Sequence, residues 1–155
     1  MFSIKVTFEQ TAGAILYPTR IIIETRNAES QDSCYSTDIL TILDLDTSDI
    51  LLGQMVLQHL NNSKLEKNYS IELRKDYLKK LKFKSEAAAR KDAKYVAIFR
   101  TNSVIRFEPR NNKVSDGRSS AYYGIPKEIF EINLNADMET LGKATREAWS
   151  KCFFS

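Results

Sequence analysis

The chain has 155 residues, 43% of them hydrophobic and 28% charged, with 5 glycines, 3 prolines and a formal net charge of +3. That length suits one domain and that apolar fraction suits a real core, which excludes a disordered or linker-like chain. No apolar run approaches the roughly 18 residues of a membrane span, and the amino terminus lacks the apolar stretch of a secretion signal. The expectation is a soluble, unexported protein of the cytoplasm.

In chain order, SIKVTFE alternates with period two and sets Ile4, Val6 and Phe8 on one face of a first strand. TRIIIETR, entered after Pro18, is β-branched and reads as a second strand. Residues 27–37, NAESQDSCYST, are polar and turn-like. DILTILDL then reads as a strand with Ile39, Thr41, Leu43 and Leu45 on one side. A helix follows, capped by Asp46, Thr47 or Ser48, each of which can offer a side-chain oxygen to the free amides of the first turn. Leu52, Met55, Val56, His59 and Leu60 share its inner face, and Asn61, Asn62 and Ser63 end it.

A second helical pattern starts at Ser70 with Leu73, Tyr77, Leu78 and Leu81 as its stripe. Its outer face is basic, eased by the Asp76–Lys80 spacing. SEAAARKDA is a short, alanine-rich helix candidate. KYVAIFRT and SVIRFEP, turning at Asn102-Ser103, have the grammar of a hairpin. RNNKVSDGRSS is the longest polar loop, and EIFEINL is the last strand, presenting Phe130, Ile132 and Leu134. Asn135 or Asp137 caps a final helix whose inner side carries Leu141, Ala144, Thr145, Ala148 and Trp149. Residues 1–155 therefore read as a single α+β domain, a mainly antiparallel β-sheet packed by helices.

One phrase occurs twice. ILDLDTSDILLGQ and EINLNADMETLGK align Leu43 with Ile132, Leu45 with Leu134, Leu52 with Leu141 and Gly53 with Gly142. Glycine inside a helix costs about 1 kcal/mol relative to alanine. Finding it twice at the same place implies that another backbone passes close by.

Charge is unevenly spread. Residues 24–49 hold seven carboxylates against the single Arg26, whereas residues 64–100 hold twelve lysines and arginines. A solvated helix face is the ordinary meaning of such a basic stretch, and nucleic-acid contact is the alternative.

Signatures of catalysis are missing. His59 is the only histidine and falls on the inner or border face of its helix, which suits a packed imidazole. Nothing in the spacing marks a carboxylate to hold it as a base. Cys34, His59 and Cys152 have no metal-ligand spacing, and the two cysteines suit reduced thiols. The five glycines never form a phosphate-binding loop. No enzyme, metal or cofactor is expected, and the chain should act through a surface.

The segment from Ile105 to Cys152 resembles the immunity proteins of bacterial contact-dependent growth inhibition systems. The likeness lies in a hairpin strand running into Pro109, a polar loop, and the strand-helix close INL…ETLGKATREAWSKC. DILLGQMVLQHLNNSK is similar to the first helix of that family. The resemblance implies a small cytoplasmic protein that binds the toxin domain of its cognate system one-to-one and occludes it without turnover. Such toxins are often nucleases. In some relatives a toxin hairpin extends the immunity protein's sheet, the mode in which main-chain bonds give affinity and pockets give specificity. The resemblance supplies no binding residues.

For the binding surface, the polar segment after the hairpin comes first: Arg110, Lys113, Asp116, Arg118, Tyr122 and Tyr123. The acidic group Asp38, Asp44, Asp46 and Asp49 comes second, although ordinary cap and loop chemistry also accounts for these residues. A nucleic-acid-binding module built on residues 64–100 is the competing function. Inhibitors of nucleases are often acidic, and this chain departs from that with a net charge of +3.

Overall fold

The computed structural model describes residues 8–30, 33–111 and 123–152. Strands β1 (Gln10–Leu16), β2 (Ile21–Ala28) and β3 (Cys34–Leu43) come first, followed by helices α1 (Asp49–Asn62), α2 (Ile71–Lys80) and α3 (Glu86–Arg90). Strands β4 (Lys94–Arg100), β5 (Val104–Asn111), β6 (Tyr123–Gly124) and β7 (Phe130–Asn133) lead to α4 (Met138–Ser150). The protein is α+β, and the sheet runs β3-β2-β1-β4-β5 with every strand pairing antiparallel. Two short strands share the outer edge of β5. β7 pairs Val104 to Phe107, and β6 pairs Arg110 and Asn111. Pro109, which has no amide hydrogen to donate, falls in the gap between them.

Alternation sorts the side chains onto two faces. Ala12, Ala14, Ile21, Ile23, Val96, Ile98, Ile105 and Phe107 form a core with Leu52, Val56 and Leu60 of α1 and with Leu141, Ala144, Ala148 and Trp149 of α4. Both helices present the inner faces that their spacing predicts, with Met55 only half-buried. Ser48 caps α1 and Asp137 caps α4, each accepting a first-turn amide. The indole of Trp149 donates to the Ala14 carbonyl at 3.1 Å, tying α4 to the central strand.

The repeated glycine marks where the two helices cross. A Cβ on Gly53 would come within 2.8 Å of the Met138 carbonyl carbon, and one on Gly142 within 2.6 Å of the Asp49 carbonyl carbon. Each helix thus lays its glycine against the first turn of the other.

The opposite face is only partly covered. Helix α2 and the α3 region close one end of it over Ile15, Ile22, Tyr95 and Ala97, with Tyr77, Leu81 and Ala93 in the seam. The connection after α1 is fastened at the other end of β2, where that strand meets the start of β3. Asn27 Oδ1 accepts from the Lys64 amide at 3.0 Å, and Tyr35 donates to the Glu66 carbonyl at 2.8 Å.

One expectation for the strands lies outside the described residues, and another changes. The stretch proposed as the first strand falls mostly on residues 1–7, outside those described, and the central strand is β1, QTAGAIL. Its small residues hide it from a propensity reading, yet they are what the site demands. A Cβ on Gly13 would sit 2.5 Å from the Tyr95 hydroxyl and 2.7 Å from Glu24 Cγ. β3 begins at Cys34, inside the segment expected to be a turn, and ends at Leu43. Leu45 therefore lies beyond the strand and is exposed, as is Ile39, whereas Thr41 meets His59 and Leu43 joins the core. A register shift opposite Glu24 and Arg26 accompanies this rearrangement.

Candidate binding face

The half of the sheet left open by α2 and α3 is paved with charge. On β2 the sequence IIIETR sends Ile21, Ile23 and Thr25 to the core beneath α1 and α4, which turns Glu24 and Arg26 to the other side. On β5, Ile105 and Phe107 go to the core, which leaves Arg106, Glu108 and Arg110 facing the same way as Arg26. Two adjoining cavities open here, of about 470 and 440 Å³. Arg26, Cys34 and Arg110 line both.

Glu24 is fully buried at 0% exposure beside Gly13. Three hydroxyls hold its carboxylate: Tyr77 at 2.6 Å, Tyr95 at 3.0 Å, and Ser36. Burial, followed by the nearby Glu24, drives the Tyr77 phenol well above its ordinary pKa. Burial likewise raises Tyr95, so both phenols keep the protons they donate.

The arginines of this face are held differently from one another. Arg74 forks onto Glu86, Nε to Oε1 at 2.5 Å and Nη2 to Oε2 at 2.7 Å, with its guanidinium over the Tyr77 ring. The Arg74 bond holds the Glu86 carboxyl below its usual range. Arg106 bridges Glu9 at 2.8 Å and Glu108 at 2.7 Å, and Arg110 reaches Glu108 at 3.0 Å. Arg26 instead stands 5.9 Å from the ring centres of both Tyr95 and Phe99.

Of the candidate surface residues, Arg110 lies on this face and Tyr123 opens β6, paired through its backbone with Asn111. Lys113, Asp116, Arg118 and Tyr122 fall outside the described residues. The acidic group stands elsewhere, at β3 and the start of α1, across the sheet from β5. Asp38 is bound by Lys80 at 3.0 Å and Asp49 by Arg146 at 2.7 Å. Asp44 and Asp46 are exposed in the turn between, where the Thr47 hydroxyl donates to the Asp44 carbonyl.

Glu24, Arg26, Arg106 and Glu108 were not among the residues singled out from sequence. The signal for them was present, since charged residues alternate with large apolar ones in IIIETR and VIRFEPR.

His59 belongs to the opposite, packed face. It is 1% exposed, and its two ring nitrogens bond the hydroxyls of Thr25 and Thr41 at 2.7 Å each. Burial pulls its pKa down to about 4, so the imidazole is neutral and structural. Cys34 and Cys152 are both free. Among the described residues no group of His, Cys, Asp and Glu side chains is arranged to hold a metal, and no helix is long and apolar enough to cross a membrane.

Fold and face together define a small α+β protein whose sheet is sealed by helices on one side and carries an arginine-rich, partly open surface on the other. A family model described as CDI immunity protein matches residues 10–152. The chain belongs to this family, CdiI. Among solved structures, a protein of unknown function from Neisseria meningitidis is 22% identical with a TM-score of 0.79, covering 98% of this chain and 100% of that one. A chain of the CdiA-CT/CdiI toxin and immunity complex from Yersinia pseudotuberculosis is 18% identical, also with a TM-score of 0.79, covering 94% of this chain and 98% of that one. At those identities the likeness is one of fold. A search of curated proteins finds no match.

Proposed function

We propose that this protein binds the C-terminal toxin domain of its cognate contact-dependent growth inhibition system one-to-one in the cytoplasm. It neutralises the toxin by stoichiometric occlusion, without chemistry of its own. Membership of the CdiI family across residues 10–152 carries the reading, and the fold shared with a chain of a toxin and immunity complex supports it. The open half-face supplies a surface for such a partner: concave, charged, and set on the rigid sheet instead of the loops.

Nuclease activity is the toxin chemistry we infer. With a net charge of +3 and arginines lining the cavities, the protein engages the toxin beside its nucleic-acid groove and not as an acidic mimic filling it. The basic stretch from Lys64 to Arg100 offers weaker support for direct nucleic-acid binding. Arg74 is taken up by Glu86, Lys80 by Asp38, and Arg100 by Gln10 and Asn61.

The test is co-expression with the neighbouring toxin domain, followed by size measurement of the purified pair and titration of nuclease activity. A one-to-one complex, rescue of growth and loss of cleavage at one equivalent are expected. Failure of the pair to associate, together with no protection, removes the proposal.

One observation favours a second contact surface. The outer edge of β3 has no strand partner among the described residues, yet it exposes Ile39 at 48% and Ile42 at 51%. Bare apolar edges invite strand addition. Ile42→Glu weakens toxin binding if this edge is used and leaves it unchanged if the open face suffices.

A further inference from the structure

Residues 64–84 hold eight lysines and arginines against Glu66, Glu72 and Asp76, so with the whole chain at +3 the remainder is net negative. Only two of those cations are neutralised within the fold. Arg74 forks onto Glu86, and Lys80 bonds Asp38. Lys64, Lys67, Lys75, Lys79, Lys82 and Lys84 are all exposed and form no ion pair among the described residues. The same stretch exposes three large apolar side chains, Leu65 at 50%, Tyr69 at 54% and Ile71 at 65%. Leu65 and Tyr69 stand on the connection that leads into α2, and Ile71 opens the helix.

Helix geometry orders these residues. Ile71, Lys75 and Lys79 recur at intervals of four and form one row on the side of α2 turned away from Tyr77, which is buried against the sheet. Glu72 and Asp76 stand in the next row, which ends at Lys80. The residue types then say what the surface fits. Nucleic-acid phosphates use lysines but offer nothing to an exposed leucine and isoleucine. Protein interfaces favour arginine and are depleted in lysine. Here Arg74, the one arginine of the stretch, lies over the Tyr77 ring in its bond to Glu86, and the unpaired cations are all lysines. An anionic bilayer uses both classes at once. Its headgroups attract lysines near the surface, and the boundary with its acyl chains takes up leucine, tyrosine and isoleucine.

We propose that the solvent side of α2, with the connection before it, docks on an anionic lipid surface. The contact is peripheral, in keeping with the lack, among the described residues, of any helix able to cross a membrane. It goes beyond the toxin-binding reading and does not rest on it.

The experiment is co-sedimentation of the full chain with vesicles of phosphatidylcholine alone and of phosphatidylcholine mixed with phosphatidylglycerol, at low and at physiological salt. Binding is expected only to the mixed vesicles, and should weaken as salt rises. The double variant Lys75→Gln/Lys79→Gln should lower the partition coefficient by at least about tenfold, at about fivefold for each lysine. Leu65→Ser/Ile71→Ser should lower it by about tenfold, through lost apolar burial. All four side chains are exposed, so both variants are expected to fold as the wild type does.

Three results overturn the proposal. The first is no more binding to the mixed vesicles than to phosphatidylcholine alone. The second is binding of Leu65→Ser/Ile71→Ser to the mixed vesicles within twofold of the wild type, which leaves a patch that senses charge and no apolar phase. The third is binding of duplex RNA under salt conditions where the vesicles are not bound, lost in the lysine variant and kept in the serine variant, which assigns the surface to nucleic acid.

Discussion

Replacing Gly53 with alanine sets two effects of opposite sign against each other. In an isolated helix the change stabilises by about 1 kcal/mol. Here the new methyl would lie 2.8 Å from the Met138 carbonyl carbon and closer still to its oxygen. Ordinary contact begins near 3.4 Å, so α1 and α4 must part by at least about 0.6 Å at their crossing, and by about 0.8 Å for Gly142→Ala. The obstacle is backbone in both cases and cannot swing aside. Overpacking of this kind costs about 3 kcal/mol, and helix propensity recovers about 1, which leaves each single variant about 2 kcal/mol less stable. The double variant should lose well under the sum, because one separation of the helices clears both positions. Urea unfolding followed by circular dichroism gives the midpoints, with Gln54→Ala on the exposed side of α1 as a control expected within about 0.5 kcal/mol of wild type. A midpoint for Gly53→Ala equal to or above wild type would refute the close-crossing argument. Strictly additive losses would refute its claim that the two glycines serve one contact.

Other outcomes can be checked in the same way. His59, held near pKa 4 in the folded state, stays neutral where the unfolded imidazole, with its pKa near 6.5, takes up a proton. Acidification from pH 7 to pH 4 should therefore destabilise the protein by up to about 3 kcal/mol through this residue alone, and His59→Gln should flatten that part of the pH profile. Tyr77→Phe deletes a donor to the buried Glu24 carboxylate and should cost about 2 kcal/mol in urea unfolding, with no change meaning that Glu24 is satisfied without it. Ser48→Ala removes the α1 cap that receives the Leu51 amide and should cost about 1 kcal/mol, visible as a lowered midpoint.

The helices were largely legible in the sequence. α1 and α4 announce themselves by apolar spacing, side-chain caps and the paired glycines, all of which are local signals. What stayed hidden depends on distance along the chain. QTAGAIL looks like no strand until Glu24, Tyr95 and Trp149 are brought around it, and only then does each small residue have a reason. Glu24 reads as one more member of an acidic stretch, yet its partners Tyr77 and Tyr95 come from 53 and 71 residues further on. Arg26 was noted only as the exception in that stretch. Its burial without an ion pair among the described residues, with Glu24 and Glu108 near enough to favour its charge, is a property of the folded sheet and has no local marker. The acidic group at Asp38 to Asp49 reads as one patch in sequence, but in three dimensions Lys80 and Arg146 divide it.

The bond from the Trp149 indole to the Ala14 carbonyl has a practical consequence. Trp149 is the only tryptophan in the chain, it is 2% exposed, and it lies on the α1/α4 side of the sheet, opposite the arginine face. The protein thus carries a built-in fluorophore that reports the docking of α4 on β1 and is screened by a layer of β-sheet from whatever occupies the other side. Its emission should stay blue-shifted and nearly constant when small anions are added, and move to the red only as the helix layer detaches. Unfolding and ligand occupancy can therefore be read as separate signals from the same unlabelled molecule.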